Sequence, residues 1–96
     1  MKSSYIDTKS IIQVIGSIYQ NPDLLDEEQY KFNEEDFPQE FHRIMFGSIY
    51  NLHQLGAKAI TINTIEDYLE QREKKFAVYK SYNGAEWLAQ CKETIN

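Results

Sequence analysis

Apolar residues recur three and four positions apart in successive segments of this chain, and this spacing constrains its fold more than any other feature. In the first segment they follow the pattern of one helix face: Ile11, Val14, Ile15 and Ile18. The spacing predicts a buried helix over about residues 9–20. Because Pro22 ends that helix and suits a first helical turn, a short helix is expected next, over 22–29.

The most regular apolar pattern predicts a longer helix over residues 38–55, with Gly56 as its terminator. Asp36 and Gln39 form a helix-start signature just before it. The apolar side of this helix is expected to carry Phe41, Ile44, Met45, Ser48, Ile49, Leu52 and Leu55. A helix with so complete an apolar side is expected at the centre of the fold.

Two further helices are predicted in the second half of the chain. One starts at a cap provided by Thr61 or, in a competing capping box, by Asn63, and runs to about Lys74. The other starts at Asn83 and buries one face: Trp87, Leu88, Cys91 and Ile95.

Residues 74–82 lie between these two helices and are predicted as a helix end followed by a connector. The alternation of Phe76 and Val78 resembles a strand, but a single strand would have no partner elsewhere in the chain. The predicted fold class is therefore all-α: a compact bundle of about five to six short helices, packed orthogonally around the central helix at 38–55.

Length and composition predict one domain without disulfides, over residues 1–96. At 96 residues and 42% hydrophobic content the chain can bury a single core, and Cys91 is its lone cysteine. Cys91 has apolar neighbours at helical spacing, so it is predicted to be a buried small hydrophobe rather than a nucleophile. No segment approaches the roughly 20 apolar residues that cross a bilayer, and a cytoplasmic location is expected.

The charge balance argues against direct binding of nucleic acid. Ten Lys and Arg face fifteen Asp and Glu, a formal charge of −5, whereas phosphate contacts need basic residues. Residues 23–40, hereafter the acidic segment, carry eight acidic residues and only Lys31 as a base. Whether this segment faces solvent or a basic partner stays open at this stage.

No pattern in the sequence predicts an active site or a cofactor. His42 and His53 lie on one predicted helix but about 16 Å apart, too far to share a metal ion. Dispersed glycines exclude a phosphate-binding loop, and the acidic segment lacks the spacing of a calcium loop. The residues alone therefore indicate a small helical interaction module that is not an enzyme.

Exposed tyrosines beside charged residues are typical of interface anchors, and five residues are candidates for a docking surface. They are Tyr50 and His53 on the central helix, and Tyr79, Lys80 and Tyr82 in the connector. The alternative, that these tyrosines only cover the edge of the core, is equally compatible with the sequence.

From about Ser10 onward, the order of the segments resembles the N-terminal domain of the DnaB-family replicative helicases. The resemblance rests on four pieces in order: QVIGSIYQNPDLLD at 13–26, EDF followed by HRIMFGSIYNLHQLG at 42–56, AITINTIEDYLEQR at 59–72, and YNGAEWLAQC at 82–91. The family usually has a glutamate where this chain has Ile11 or Ile12, and a tyrosine at Trp87. These departures favour a phage, plasmid or otherwise divergent member.

The resemblance implies a non-catalytic head domain of a hexameric helicase. Such a domain would self-associate, support hexamer assembly and receive a primase or a helicase loader, while ATP and Mg²⁺ would bind a downstream ATPase domain. Matching motif positions are expected to have structural roles: Gly16, Phe37, His42, Arg43, Phe46 and Thr64. The alternative is a free-standing acidic adaptor or inhibitor that engages replication partners. A Walker A motif encoded beyond residue 96 would distinguish the two.

Overall fold

A computed structural model describes residues 8–95, apart from the side chains of Thr8, Gln29, Thr94 and Ile95. Five α-helices follow one another: α1 (Thr8–Gln20), α2 (Glu40–Gln54), α3 (Ile62–Glu70), α4 (Glu73–Ser81) and α5 (Gly84–Ile95). Three short 3-10 helices join α1 to α2, at Pro22–Asp26, Glu28–Tyr30 and Glu34–Asp36. Residues 8–95 contain no β-strand, which confirms the predicted all-α class.

The central position predicted for the long helix is confirmed. α2 packs against α1, α3, α4 and the 3-10 helices at Pro22–Asp26 and Glu34–Asp36, and it buries side chains on nearly every side. α1 packs most extensively against α5, so the two ends of the described chain close one side of the bundle. The buried core takes residues from all five helices, including Ile15, Phe37, Met45, Ile49, Ile65, Leu69 and Leu88. No helix within the described residues is both long and apolar enough to span a membrane.

The start of α2 differs from the prediction by two residues. It begins at Glu40 with Gln39 as its cap residue, and the Arg43 side chain fixes the preceding turn. Nε of Arg43 donates to the carbonyl of Phe37 at 2.8 Å, and Nη2 donates to the carbonyl of Pro38 at 2.6 Å. Asp36, expected in the start signature, instead accepts from the backbone N–H of Asn33.

The end of α2 falls at the predicted terminator. Gly56 has a φ of +92°, a left-handed conformation that favours glycine. Leu55, predicted on the buried side, is 77% exposed. The helix already ends at Gln54, so Leu55 is no longer held on the buried face.

The prediction of a helix end followed by a connector over residues 74–82 is wrong, because Glu73–Ser81 forms a separate helix, α4. The preceding helix ends earlier than expected, at Glu70, where the Arg72 side chain folds back onto its last turn. Nη1 of Arg72 donates to the carbonyl of Tyr68, and the guanidinium lies 3.9 Å from the centre of that tyrosine ring. Tyr79 is the only residue of α4 that is buried, so α4 lacks the repeated buried apolar positions from which a helix is predicted.

The predicted starts of α3 and α5 can both be compared with the structure. Thr61 caps α3 in preference to Asn63: its Oγ1 accepts from the N–H of Thr64 at 3.2 Å, and Thr64 Oγ1 accepts from the N–H of Thr61 at 3.3 Å. Asn83 precedes α5 as expected, but with a φ of +52° in the left-handed region. Its N–H donates to Lys80 and its carbonyl accepts from Trp87, so Asn83 joins α4 tightly to α5.

Candidate protein-interaction surfaces

One exposed aromatic surface surrounds Tyr82, at the junction of α4 and α5. Tyr82 is 56% exposed and stacks on Phe41 of α2, with ring centres 4.8 Å apart and planes within 14°. Trp87 of α5 meets the same Phe41 ring edge-on at 5.1 Å. Tyr82 therefore presents one ring face to solvent while its other face rests on a buried ring.

A second aromatic surface lies at Tyr50, towards the other end of α2. Tyr50 is 39% exposed and stacks on Phe46, which in turn packs on Phe37 at a ring separation of 4.9 Å. Beside Tyr50 is a cleft of about 280 Å³, lined also by Asp26, Tyr30 and Gln54. This tyrosine too is backed by buried rings and borders the acidic segment.

The His53 side chain contacts a carboxylate of the acidic segment and is largely covered. Its side chain is 13% exposed, and Nε2 lies 3.3 Å from both carboxylate oxygens of Asp26. Ligand atoms of Asp23, Asp26 and His53 lie within 4.8 Å of one another. Three such residues, two of them exposed, do not by themselves make a metal site, because structural zinc sites use four protein ligands. The sequence held no signal for this grouping, since His53 is 27 residues from Asp26.

The prediction that Tyr79 lies on the docking surface is wrong. Tyr79 is 2% exposed, and its hydroxyl donates to Oε2 of Glu66 at 2.9 Å. Burial and the Glu66 carboxylate both raise its pKa above the usual value. Its neighbour Lys80 is exposed, with Nζ 4.6 Å from the centre of the Phe76 ring. Because α4 is a helix, its phase turns Tyr79 inward and leaves Lys80 outside.

Tyr50 and Tyr82 belong to separate surfaces on opposite sides of α2. Tyr50 and Phe41, on which Tyr82 stacks, are nine positions apart in one helix, which places their side chains about 180° apart around its axis. The structure therefore divides the four candidate residues other than the buried Tyr79: Tyr50 and His53 lie beside the acidic segment, whereas Lys80 and Tyr82 lie at α4.

The six motif positions lie in or against the core. Gly16, Phe37 and Phe46 are buried, while Arg43 and Thr64 make the backbone hydrogen bonds described above. His42 is 7% exposed and packs beside Phe41 and Trp87, whose ring centres are 5.6 and 5.4 Å from its own. Its Nδ1 has no hydrogen-bond partner among the described residues, and burial lowers its pKa.

The lowered pKa of His42 predicts a loss of stability in mild acid. The folded protein resists protonation of this ring, so the unfolded chain takes up the proton first. Above the unfolded pKa of about 6.5 the His42 ring is neutral in both states and leaves the free energy of unfolding unchanged. As the pH falls below 6.5, proton uptake by the unfolded chain lowers that free energy. We expect the melting temperature of the parent to fall more between neutral pH and mild acid than that of His42→Gln, measured by circular dichroism. Parallel pH profiles of the two proteins would contradict this.

The predicted burial of Cys91 is confirmed. The side chain is 2% exposed, and burial raises its pKa to about 11. The thiol is therefore protonated at neutral pH, the form that does not attack electrophiles.

Comparison with known sequences decides the family. The sequence model of the DnaB-like helicase N terminal domain matches residues 12–95, nearly the whole described chain. The chain belongs to this family. The SPbeta prophage-derived uncharacterized protein YorI of Bacillus subtilis (strain 168) is 33% identical over 88 residues, which cover 91% of this chain and 18% of that protein. No solved structure matches. The resemblance expected from the four sequence pieces is thus confirmed, and a prophage relative agrees with a phage-type DnaB-like domain.

Proposed function

We propose that this DnaB-like domain is the non-catalytic head of a hexameric replicative DNA helicase, acting through protein contacts in DNA replication in the cytoplasm. The observation that carries the proposal is the family match over residues 12–95, on a fully helical fold. The chain spans 18% of its prophage relative, so the motor would lie in other parts of such a protein. In this proposal residues 1–96 form one head domain.

The two aromatic surfaces support a docking role. Tyr50 and Tyr82 are each stacked on a buried ring, so little side-chain freedom would be lost when a partner covers them. Tyrosines of this kind often carry a large share of binding energy at protein interfaces. We propose that one surface receives a primase or a helicase loader, and that the heads also contact one another within the hexamer.

The described residues support a non-enzymatic role for this chain. The histidine and the cysteine with shifted pKa values, His42 and Cys91, are both buried in the core rather than placed in a cleft with a second reactive group. We propose that the chain binds no cofactor, and that ATP and Mg²⁺ bind an ATPase domain.

The test is a binding titration of the chain with the primase and the helicase loader of the same replication system. We expect one of the two to bind, and either Tyr50→Ala or Tyr82→Ala to weaken that binding at least about tenfold. Leu55→Ala is the matched control, because Leu55 is 77% exposed yet lies outside both tyrosine surfaces. Hydrolysis of ATP by the chain, or no binding of primase, loader or a second copy, would overturn the proposal.

A further inference from the structure

A cleft of about 370 Å³ lies where three parts of the fold meet. The end of α1 contributes Tyr19 and Gln20, the loop between α2 and α3 contributes Lys58 and Thr61, and α5 contributes Lys92. Its volume falls in the range of sites for small ligands, about 300–1,000 Å³. The cleft belongs to neither of the aromatic surfaces described above.

The residues that line this cleft include two bases and no acid. Lys58 and Lys92 are both exposed, and they reach the same cleft from a loop and from a helix. Asp23 and Glu93 lie next to lining residues in the sequence, but neither of them lines the cleft. In a chain with a formal charge of −5, this local balance is the reverse of the overall one. Two ammonium groups at one cleft favour an anion with more than one negative charge.

Two neutral side chains of the cleft are hydrogen-bond donors. The Tyr19 hydroxyl accepts from the backbone N–H of Ile62, which leaves its own proton available, and burial raises its pKa so that it keeps this proton at neutral pH. Nε2 of Gln20 lies 3.5 Å from the carbonyl of Lys92, and its second N–H remains available. Positive charge together with neutral donors suits phosphate oxygens, which accept several hydrogen bonds.

α3 starts beside this cleft, but its first N–H groups already have partners. The N–H of Ile62 donates to the Tyr19 hydroxyl, and the N–H of Thr64 donates to Oγ1 of Thr61. The lysines and the two neutral donors therefore carry the charge and hydrogen-bonding character of the cleft, rather than the end of the helix.

We propose that this cleft binds the phosphate or pyrophosphate group of a small ligand. Lys58 and Lys92 balance its charge from two sides, while Tyr19 and Gln20 orient it by donating hydrogen bonds. A bound anion joins the loop before α3 to α5, and it stabilises the folded chain because the unfolded chain lacks the cleft. The inference concerns a surface that the proposed docking function does not use.

Titration with inorganic pyrophosphate gives the first test, at a constant ionic strength of about 0.1 M so that screening does not change. By isothermal calorimetry we expect saturable binding with a Kd of about 1 mM or tighter. In two-dimensional NMR spectra the amide shifts should concentrate at Tyr19, Lys58, Thr61 and Lys92. Shifts that never saturate, or that spread over the lysines of the whole chain, would show an adventitious ion only and overturn the proposal.

Substitution of the two lysines gives the sharper test. Lys58→Gln and Lys92→Gln should each weaken pyrophosphate binding at least about fivefold, because each removes a charged donor. The matched control is the double variant Lys74→Gln with Lys75→Gln, which equals the Lys58 and Lys92 double variant in net charge. Both control lysines are exposed and lie outside the cleft, so binding should stay at the parental strength. Equal losses in the two double variants would overturn the proposal, and circular dichroism checks that each variant is folded.

Two further probes decide what carries the anionic group. Pyrophosphate should bind more tightly than a short single-stranded DNA or a peptide of glutamates. Tighter binding of the DNA or of the peptide, lost in the Lys58 and Lys92 double variant, would overturn the small-ligand assignment in favour of nucleic acid or of an acidic protein segment. A chain that binds primase or loader but none of these anions would refute this inference while the proposed docking function still stands.

Discussion

Gly84→Ala should destabilise the protein by about 3 kcal/mol, which lowers the melting temperature by roughly 12–24 °C in a domain of this size. Gly84 begins α5, and a Cβ added there would overlap the ring of Tyr79. The ring cannot easily move aside, because it is buried and its hydroxyl is bound to Glu66. Thermal unfolding followed by circular dichroism measures the effect.

A second glycine and a double variant show whether the overlap is the cause. An added Cβ at Gly56 meets open space, so Gly56→Ala should cost only about 1–2 kcal/mol for its left-handed backbone. Removing the obstructing ring should make Gly84→Ala far less costly, so its effect in a Tyr79→Ala background should fall below about 1 kcal/mol. If Gly84→Ala melts like the parent, α5 does not approach the Tyr79 ring closely enough for an added Cβ to overlap it.

Tyr79→Ala should cost about 3–5 kcal/mol, the range for removing a large buried aromatic side chain. Tyr79 is the residue through which α4 enters the core, and its ring also packs on Phe76 at 5.8 Å. Chemical denaturation with urea measures the loss of unfolding free energy. The result would separate a core role for Tyr79 from the surface role that its sequence context suggested.

Two neighbouring substitutions dissect the Tyr79 effect. Tyr79→Phe keeps the packed ring and removes only the hydrogen bond to Glu66, so it should cost about 1 kcal/mol. Lys80→Ala changes the next residue, whose side chain is exposed, and should alter stability by less than about 0.5 kcal/mol. Equal effects of Tyr79→Ala and Lys80→Ala would mean that α4 is docked in a different rotation.

The sequence predicted well those helices whose own residues show regular apolar spacing or a residue that favours a helix end. The spacing of Ile11, Ile15 and Ile18 identified α1, and Gly56 marked the end of α2 at the position where the chain has a φ of +92°. Thr61 was one of two competing caps, and only the hydrogen bonds with Thr64 select it. Local patterns therefore predicted the existence of helices more reliably than their first and last residues.

α4 and the docking residues could not be predicted in this way. α4 has one fully buried residue and many lysines, so its helical state depends on packing against α2, α3 and α5 rather than on an apolar repeat. For the same reason the choice between Tyr79 and Lys80 as the surface residue was not visible in the sequence. The contact of His53 with Asp26 likewise joins residues far apart in the chain.

The sequence by itself determined the all-α class, the central α2, the burial of Cys91 and the family, because these follow from residue spacing and from motif order along the chain. Only the tertiary structure decided which tyrosines are exposed, that Tyr50 and Tyr82 lie on opposite sides of α2, and that His53 of this helix contacts Asp26 of the acidic segment. The physical reason is that spacing specifies which face of a helix is apolar. How neighbouring helices rotate and pack then determines which polar and aromatic side chains remain at the surface and which of them meet.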